Sequence, residues 1–410
     1  MKKIYYAKAV YGIKEINAVN KVLKESSLSL MDGKNVKIFE KKVSKLFGKK
    51  YGLMVNSGSS ANLLALASLG LKKGSEIITP TLTFSTTVAP IYQLGFKPKF
   101  IDVEKNKYVA NVDQILSAIS KNTKAIIIPN LLGNIPDWRK IYNICKNKNI
   151  FLIEDSADTI GYKLHGKTTG KYSDVVTTSF YASHIVTGAG FGGMVCFNNY
   201  KSYEKAKILR AWGRSSATFN EKESIKHRFK KDKFKFNYDK KYVFLDFGYN
   251  FIPSEISAAF AIEQIKNLKR NFSTRVKNFK FLNKFLSKYD QYFELPLQDK
   301  SVDTCWLAFP FTIKKNNIFN RNDLQMYLEK KNIQTRVIFS GNILKQPLMR
   351  SMKYAKTANC DVESNYVMKN GLLIGCHHGL TNSDLSYISK TFVNFLELKL
   401  KKIKLLLIFY

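Results

Sequence analysis

Acidic residues are scarce in this chain: 67 Lys and Arg face only 31 Asp and Glu, a formal net charge of +36 in 410 residues. Cysteine is scarce as well. The five cysteines (Cys145, Cys196, Cys305, Cys360 and Cys376) lie far apart with no CxxC pair, which argues against a zinc site and against a disulfide framework. No apolar run is long enough to span a bilayer, and the N-terminal MKKIYYAKAVYGIKEINAVNKVL lacks the continuous apolar stretch of a signal peptide. A cytoplasmic protein is therefore the default expectation. Internal repeats and low-complexity linkers are missing too. So are the GxGxxG fingerprint and the Walker loop, which weakens dinucleotide and P-loop readings. The last absence is local. Lysine is spread along the whole chain, yet none occurs between Lys171 and Lys201.

What is present suits a folded enzyme. A hydrophobic fraction of 45% and an aromatic fraction of 13% are globular values, and the length suits one large domain with a smaller one. The lysine excess is scattered, with no helix-turn-helix and no clustered basic helix, so it reads as solvated faces rather than a nucleic-acid surface. Its modest electrostatic use would be attraction of an anionic substrate. The tail LELKLKKIKLLLIFY is basic, then apolar. That pattern serves either a final amphipathic helix docked on the protein or a membrane-surface anchor.

Along the chain, helical spacing over 12–25 and 36–47 gives way to alternation. Short apolar strands are predicted at 51–57, 76–80, 97–103, 125–130 and 150–156. Helices are predicted after Gly58 and at 86–94, 112–119 and 136–148. Such alternation predicts crossover units and a mainly parallel sheet. Two further strands flank His184, and a helix covers 201–212. The lysine-rich stretch Ser215–Lys241 reads as a solvated loop, with a lid over an anionic ligand as the other reading. A long helix starts near Pro253 and continues to about residue 289. Strands CWLAFPFTI and TRVIFS, with a helix at 321–331 between them, predict a smaller α+β domain. The expected division is a large domain over 1–268 and a small one over 269–410.

Four features carry chemistry. Asn56-Ser57-Gly58-Ser59-Ser60-Ala61 joins a buried strand to a helix, and backbone N–H groups at such a junction can hold a phosphate. Glu154-Asp155 ends an apolar strand, where ligands bind in open α/β sheets, although a carboxylate there can equally cap the next segment. Phe84 in PTLTFSTT lies just past another strand end and, taken alone, reads as core rather than as a stacking platform. In TTSFYASHIVTGAGFGGMVCF (Thr177 to Phe197), His184 is the one titratable group that the loop between the two strands offers beside a tyrosine.

Taken together, a phosphate cradle, an aromatic ring, an acid and a reactive side chain at strand ends describe a pyridoxal-phosphate pocket. VNSGSSANLLAL, PTLTFSTT, IEDSAD, TTSFYASH…GGMV and GYNFIPSEISAA occur in the order and spacing of the DegT/DnrJ/EryC1/StrS sugar aminotransferases, and the chain resembles that family over nearly its whole length. The resemblance implies an α/β fold of the type I pyridoxal-phosphate aminotransferase class. It implies that Gly58, Ser59 and Ser179 hold the cofactor phosphate, that Phe84 stacks on the pyridine ring, and that Asp155 pairs with the ring nitrogen. Asn250 would reach the phosphate of a neighbouring subunit, in a homodimer with shared active sites. The family's lysine falls on the sixth residue of SFYASH, which here is His184. Histidine cannot tether the cofactor covalently, but it can move a proton near neutral pH. This exchange resembles the family branch of nucleotide-linked 4-keto-6-deoxyhexose 3-dehydrases, which use free pyridoxamine phosphate. It implies that His184 takes a proton as the C3 hydroxyl leaves.

Departures from the family refine the expectation. Members with an iron–sulfur cluster carry cysteines where this chain has Ser156, Ala157, Ser215, Ser216 and Ala217, so no cluster and no other metal is expected. Cluster-free members act on GDP-4-keto-6-deoxymannose and draw on glutamate as amino donor. GAGFGG is one residue longer than the usual motif and lacks its acidic residue. Asp158 stands where ordinary aminotransferases commonly carry Gln, as it does in the dehydrase branch. Arg214, Arg336 and Lys345 are candidates for nucleotide diphosphate or glutamate carboxylate, since a guanidinium binds both bidentately. His377 and His378 are candidates for sugar contacts. Two other functions remain open from sequence: a nucleotide-sugar aminotransferase, and a catalytically silent binding or regulatory protein on the same fold.

Overall fold

The computed structural model describes residues 3–25, 30–219, 224–229, 234 and 236–408, with side chains through residue 401. Its frame is a sheet that is parallel except at one strand. Seven strands form its body: β1 (Tyr51–Val55), β2 (Glu76–Pro80), β3 (Lys97–Ile101), β4 (Thr123–Pro129), β5 (Phe151–Ser156), β6 (Val175–Ser179) and β7 (Gly193–Phe197). The order across the sheet is β1-β7-β6-β5-β4-β2-β3, and Ala355–Lys356 adds a short parallel eighth strand beside β3. Only β7 runs antiparallel, to both β1 and β6.

The near-continuous apolar strands are explained by burial on both faces. Met54, Ile78, Ile126, Leu152, Val176 and Met194 enter one core, and their neighbours Leu53, Ile77, Ile127, Ile153, Val175 and Val195 enter the other. That alternation is the period of two of a β-strand. Helix α1 (Ile13–Glu25) packs against the helix Glu255–Lys266, and α2 (Lys34–Leu46) lies on the first face. Helix α3 (Gly58–Ala67) covers the second. Because α3 is sandwiched, it is small and apolar nearly all round, and even its Ser60 and Asn62 are buried.

Most strand and helix positions match the sequence expectation within about three residues, but within CWLAFPFTI the strand covers only Phe309–Ile313, and Gly371–Ile374 is a strand that the sequence reading did not place. TRVIFS is not a strand. It makes a single bridge, Arg336 to Leu373, and then departs through a left-handed Phe339 (φ 48°). The Ser340 hydroxyl donates to the Thr83 carbonyl, and the Ile343 N–H donates to the Thr81 carbonyl at 2.9 Å. The segment is thus drawn away from the small sheet to close over the end of β2. The small sheet has the order Phe293–Glu294, Phe309–Ile313, Gly371–Ile374.

The helix Leu268–Leu286 links the two cores. Its Leu268, Phe272 and Val276 pack on the large-sheet core, while Leu282 and Leu286 belong to the small-sheet core. The final helix runs Asn382–Ile408, and Leu385, Ile388, Phe392, Phe395 and Leu396 dock it on the same small core. The side chains from Lys402 to Tyr410, which decide between docking and membrane anchoring for the tail, lie outside the described residues. The same holds for parts of the 215–241 insertion; the rest of it forms short turns with no strand among the described residues.

One long-range contact sets α2. Its N-cap is Gly33, which has no side chain, and the carboxylate of Glu255 takes that place. It accepts from the backbone N–H groups of Gly33, Asn35 and Val36 at 2.9 Å each and from the Asn35 amide at 2.8 Å. A buried carboxylate on the positive end of a helix, with four donors, is strongly held. Glu255→Ala is expected to destabilise the protein by about 3 kcal/mol, because it strands these donors, and a urea unfolding midpoint would measure it.

Candidate active site

A cavity of about 710 Å³ opens at the C-terminal ends of the parallel strands, where the α3 N-terminus, the loop after β2, the β5 end and the β6–β7 loop converge. Open α/β sheets bind ligands at this place. Gly58, Ser59, Phe84, Asp155, Asp158, Ser179, His184 and Arg336 all line it, although they come from five separate segments of sequence.

At one end sits the start of α3. Ser57 is its N-cap, its hydroxyl accepting from the Ser60 N–H at 3.1 Å. Gly58 and Ser59 face the cavity, with Ser179 alongside. Contact here is close enough to require glycine: a Cβ on Gly58 would lie 2.6 Å from the Ser179 Cβ, and one on Gly193 would lie 2.3 Å from the Ser57 carbonyl oxygen. The helix N-terminus and the β6–β7 turn are thereby pressed together, which makes a site suited to an anion.

Asp155 lies at the floor. Its Oδ2 accepts from Asn62 and from the Thr87 hydroxyl, both at 2.8 Å, and its Oδ1 accepts from the Ala157 N–H at 3.2 Å. Burial raises its pKa, while these three neutral donors lower it. A buried carboxylate with neutral donors alone is most stable as an anion when a bound cation joins it. Asn62 is itself oriented by a proline. Pro90 inside α4 (Ser85–Gln93) has no N–H to give the Thr86 carbonyl, and the Asn62 amide donates to that carbonyl at 3.3 Å instead. The other end of the Asn62 amide accepts from the Thr177 hydroxyl at 2.6 Å. None of Asn62, Thr87, Pro90 or Thr177 stands out in the sequence, because each acts through contacts between distant elements.

Phe84 is 50% exposed, so it is not core, and its ring forms part of the cavity wall. The GAGFGG loop takes three left-handed residues in succession or near it, Ala189 (φ 54°), Gly190 (φ 101°) and Gly192 (φ 121°). That path lifts Phe191 to the cavity rim, 71% exposed. The loop therefore brings to the rim an aromatic group that sequence reasoning did not assign.

His184 and Asp158 face each other. The His184 Nδ1 lies 3.2 Å from the Ser179 carbonyl oxygen. A carbonyl only accepts, so Nδ1 carries the hydrogen and Nε2 is the free base. Nε2 is 3.8 Å from Asp158 Oδ1, and Asp158 Oδ2 accepts from the Leu132 N–H at 2.9 Å. Burial lowers the imidazole pKa to about 4, opposed by the Ser179 carbonyl and reinforced by the Arg275 charge. Burial pushes Asp158 up to about 7, opposed by the Leu132 N–H and reinforced by Asp155. Both groups are thus driven toward their neutral forms despite being within ion-pair distance. The cavity lining holds no lysine among the described residues.

The remaining candidates fall elsewhere. Arg214 lies over the Trp212 ring at 4.3 Å and lines a second groove beside α1 and α2. Asn250 is exposed, and Lys345 sits in an outer turn; neither lines the cavity of its own chain. His378 is turned inward, its Nδ1 accepting from Arg275 Nε at 3.2 Å, and His377 bonds the Tyr5 carbonyl at 3.1 Å. The five cysteines are unpaired and buried, and no group of three or more metal-ligating side chains occurs among the described residues. No helix of the described residues is long and apolar enough to cross a membrane.

The fold is that of the type I pyridoxal-phosphate aminotransferase class. The chain belongs to the DegT/DnrJ/EryC1/StrS aminotransferase family, whose sequence model matches residues 11–393. It is 33% identical to dTDP-4-dehydro-2,6-dideoxy-D-glucose 3-dehydratase of Saccharopolyspora spinosa, over 90% of this chain and 81% of that one. It is 32% identical to GDP-4-keto-6-deoxy-D-mannose 3-dehydratase of Yersinia pseudotuberculosis, over 95% and 97%. A crystal structure of GDP-4-keto-6-deoxymannose-3-dehydratase with a trapped PLP-glutamate geminal diamine superposes with a TM-score of 0.84 at 30% identity, covering 95% of this chain and 99% of that one.

A carboxyl whose folded pKa is raised above its unfolded value contributes most to stability below the unfolded pKa, and that contribution is lost as pH rises through the folded pKa. For Asp158 the window runs from about pH 4 to about pH 7. Relative to Asp158→Asn, the wild type is expected to lose up to about 4 kcal/mol across that window, measured by unfolding the two proteins in parallel.

Proposed function

We propose that this protein is a pyridoxamine-phosphate-dependent 3-dehydrase, removing the C3 hydroxyl of a nucleotide-diphosphate 4-keto-6-deoxyhexose in deoxysugar synthesis, with glutamate as amino donor. The observation that carries the reading is His184, standing with its Nε2 free in a cavity of an aminotransferase-family chain that no lysine lines among the described residues. The relatives named as 3-dehydratases of nucleotide sugars, and the structure with a PLP–glutamate adduct, support both the reaction and the donor. They differ in nucleotide, so the base is the least constrained part of the substrate.

Bound coenzyme supplies an amine for the C4 ketone and a ring that holds an electron pair. The residues fit it. Gly58, Ser59 and Ser179 bind the phosphate through the α3 N-terminus and a hydroxyl. Phe84 covers one face of the ring. Asp155, buried among neutral donors, keeps the ring nitrogen protonated. His184 accepts a proton at Nε2, and Asp158 orients it from the opposite side. Arg336, whose guanidinium lies 4.8 Å from the Tyr6 ring at the cavity wall, binds the diphosphate or the glutamate carboxylate.

Arg214 and Asn250 act on the partner's cavity in a homodimer. In support, both lie on or beside a segment whose Phe247 is 98% exposed, as a subunit contact would require. A large cofactor-binding domain over 1–268 and a smaller domain over 269–410 describe the two halves, and a cytoplasmic location suits nucleotide-sugar substrates.

Incubation with pyridoxamine phosphate, glutamate and the GDP- or dTDP-linked 4-keto-6-deoxyhexose is expected to release ammonia and to give a sugar lacking the C3 hydroxyl, read by mass spectrometry and NMR. A stable amino sugar that keeps the C3 hydroxyl overturns the reading. Borohydride treatment of the pyridoxal-phosphate-loaded wild type is expected to leave no adduct on any lysine. His184→Lys is expected to acquire one by intact mass and to lose dehydrase activity by about 10² to 10⁴.

A further inference from the structure

The helix joining the two cores carries a buried cation. Arg275, on Leu268–Leu286, is 0% exposed, and no carboxylate lies within 4.0 Å of it among the described residues. Its Nη1 donates to the carbonyls of Leu307 at 3.0 Å and Trp306 at 3.4 Å. Its Nε donates to His378 Nδ1 at 3.2 Å, and its Nη2 is buried with no hydrogen-bond partner. An unpaired buried guanidinium is costly, and a lysine-rich chain has no need of it for solubility.

Its contacts lead to the active site. Leu307 donates its N–H to the Leu132 carbonyl at 2.7 Å, and the Leu132 N–H donates to Asp158 Oδ2 at 2.9 Å. Asp158 Oδ1 then faces His184 Nε2. Leu132 holds an unfavourable left-handed conformation (φ 58°, ψ 7°), a strain that persists only where its surroundings enforce it. The enforcing neighbours are the Trp306–Leu307 backbone and Asp158.

We propose that Arg275 is a positioning residue for the reaction: by clamping the Trp306–Leu307 carbonyls it holds the Leu132 turn, and through that turn it sets Asp158 against His184. This inference rests on the dehydrase reading for its consequence, but not for its test. The charged and titratable groups around His184 are Asp158, Asp155 beyond it, Arg275 behind, and Tyr181, whose ring centre is 5.9 Å from the imidazole. The Arg275 charge acts against imidazolium, in the same direction as burial.

The test uses the full chain without coenzyme, labelled in its five histidines, with His184→Asn to assign the resonance. In wild type, His184 is expected to titrate well below an ordinary imidazole, with its hydrogen on Nδ1. Arg275→Gln, folded by circular dichroism, is expected to raise that titration enough to increase protonation about tenfold at fixed pH. With coenzyme and sugar substrate its kcat is expected to fall at least about tenfold, with KM within about twofold and the acid limb of the pH profile displaced upward. Arg275→Lys keeps charge but loses the fork, so it is expected to retain the low titration while still losing kcat. An ordinary titration of His184 in wild type overturns the proposal, as does an unchanged titration in folded Arg275→Gln. Should that variant not fold, an Arg275→Lys protein with wild-type His184 nitrogen shifts and kcat overturns it. If the sugar is not dehydrated at all, the dehydrase reading fails while the titrations still judge Arg275.

Discussion

Asp155 is the point on which the site depends. Its carboxylate is buried at the end of a central parallel strand and held by an amide, a hydroxyl and a backbone N–H, none of them charged. A carboxylate so placed is stable only if each donor is held rigidly, and the rigidity is distributed. Pro90 leaves a carbonyl free in α4, Asn62 fills it from α3, and Thr177 on β6 fixes the far side of the same amide. Three elements are thus tied to the floor of the cavity by one side chain. The arrangement leaves a buried carboxylate at the cavity whose three donors carry no charge.

The second constraint is the single antiparallel strand. A parallel strand would need a long crossover after β6. The antiparallel β7 lets the chain turn back within thirteen residues, and that turn carries His184 and lifts Phe191. Gly193 at its end lies against the Ser57 carbonyl, so the turn and the N-terminal end of α3 are pressed together. The histidine on this turn directs its hydrogen to the Ser179 carbonyl and its free nitrogen to Asp158. Burial keeps that nitrogen basic in form, although weakly basic in strength.

Much of this was readable in the chain. Strands that are apolar on both faces and helices of ten or so residues forced the parallel sheet, and β2 and α4 lie within a residue of their expected bounds. TRVIFS misled because its β-branched and aromatic residues suit a strand. Its actual path is decided by hydrogen bonds to the Thr81–Thr83 backbone, more than two hundred residues earlier. Phe84 likewise has a core-like composition around it, and only the assembled cavity leaves its ring open.

By itself the sequence determined the family and the strand-end blocks, and it singled out His184 in a stretch without lysine, since these are matters of residue type and local spacing. Tertiary structure decided the partners: Asn62 and Thr87 for Asp155, Asp158 for His184, Arg275 for His378 and the Leu307 carbonyl, and Glu255 for the start of α2. It also decided that Arg214, Asn250 and His378 stand outside the cavity of their own chain. The physical reason is the same in each case. Burial energy and hydrogen-bond geometry are set by groups that meet only after folding, and no local pattern encodes which distant donor will reach a given carboxylate.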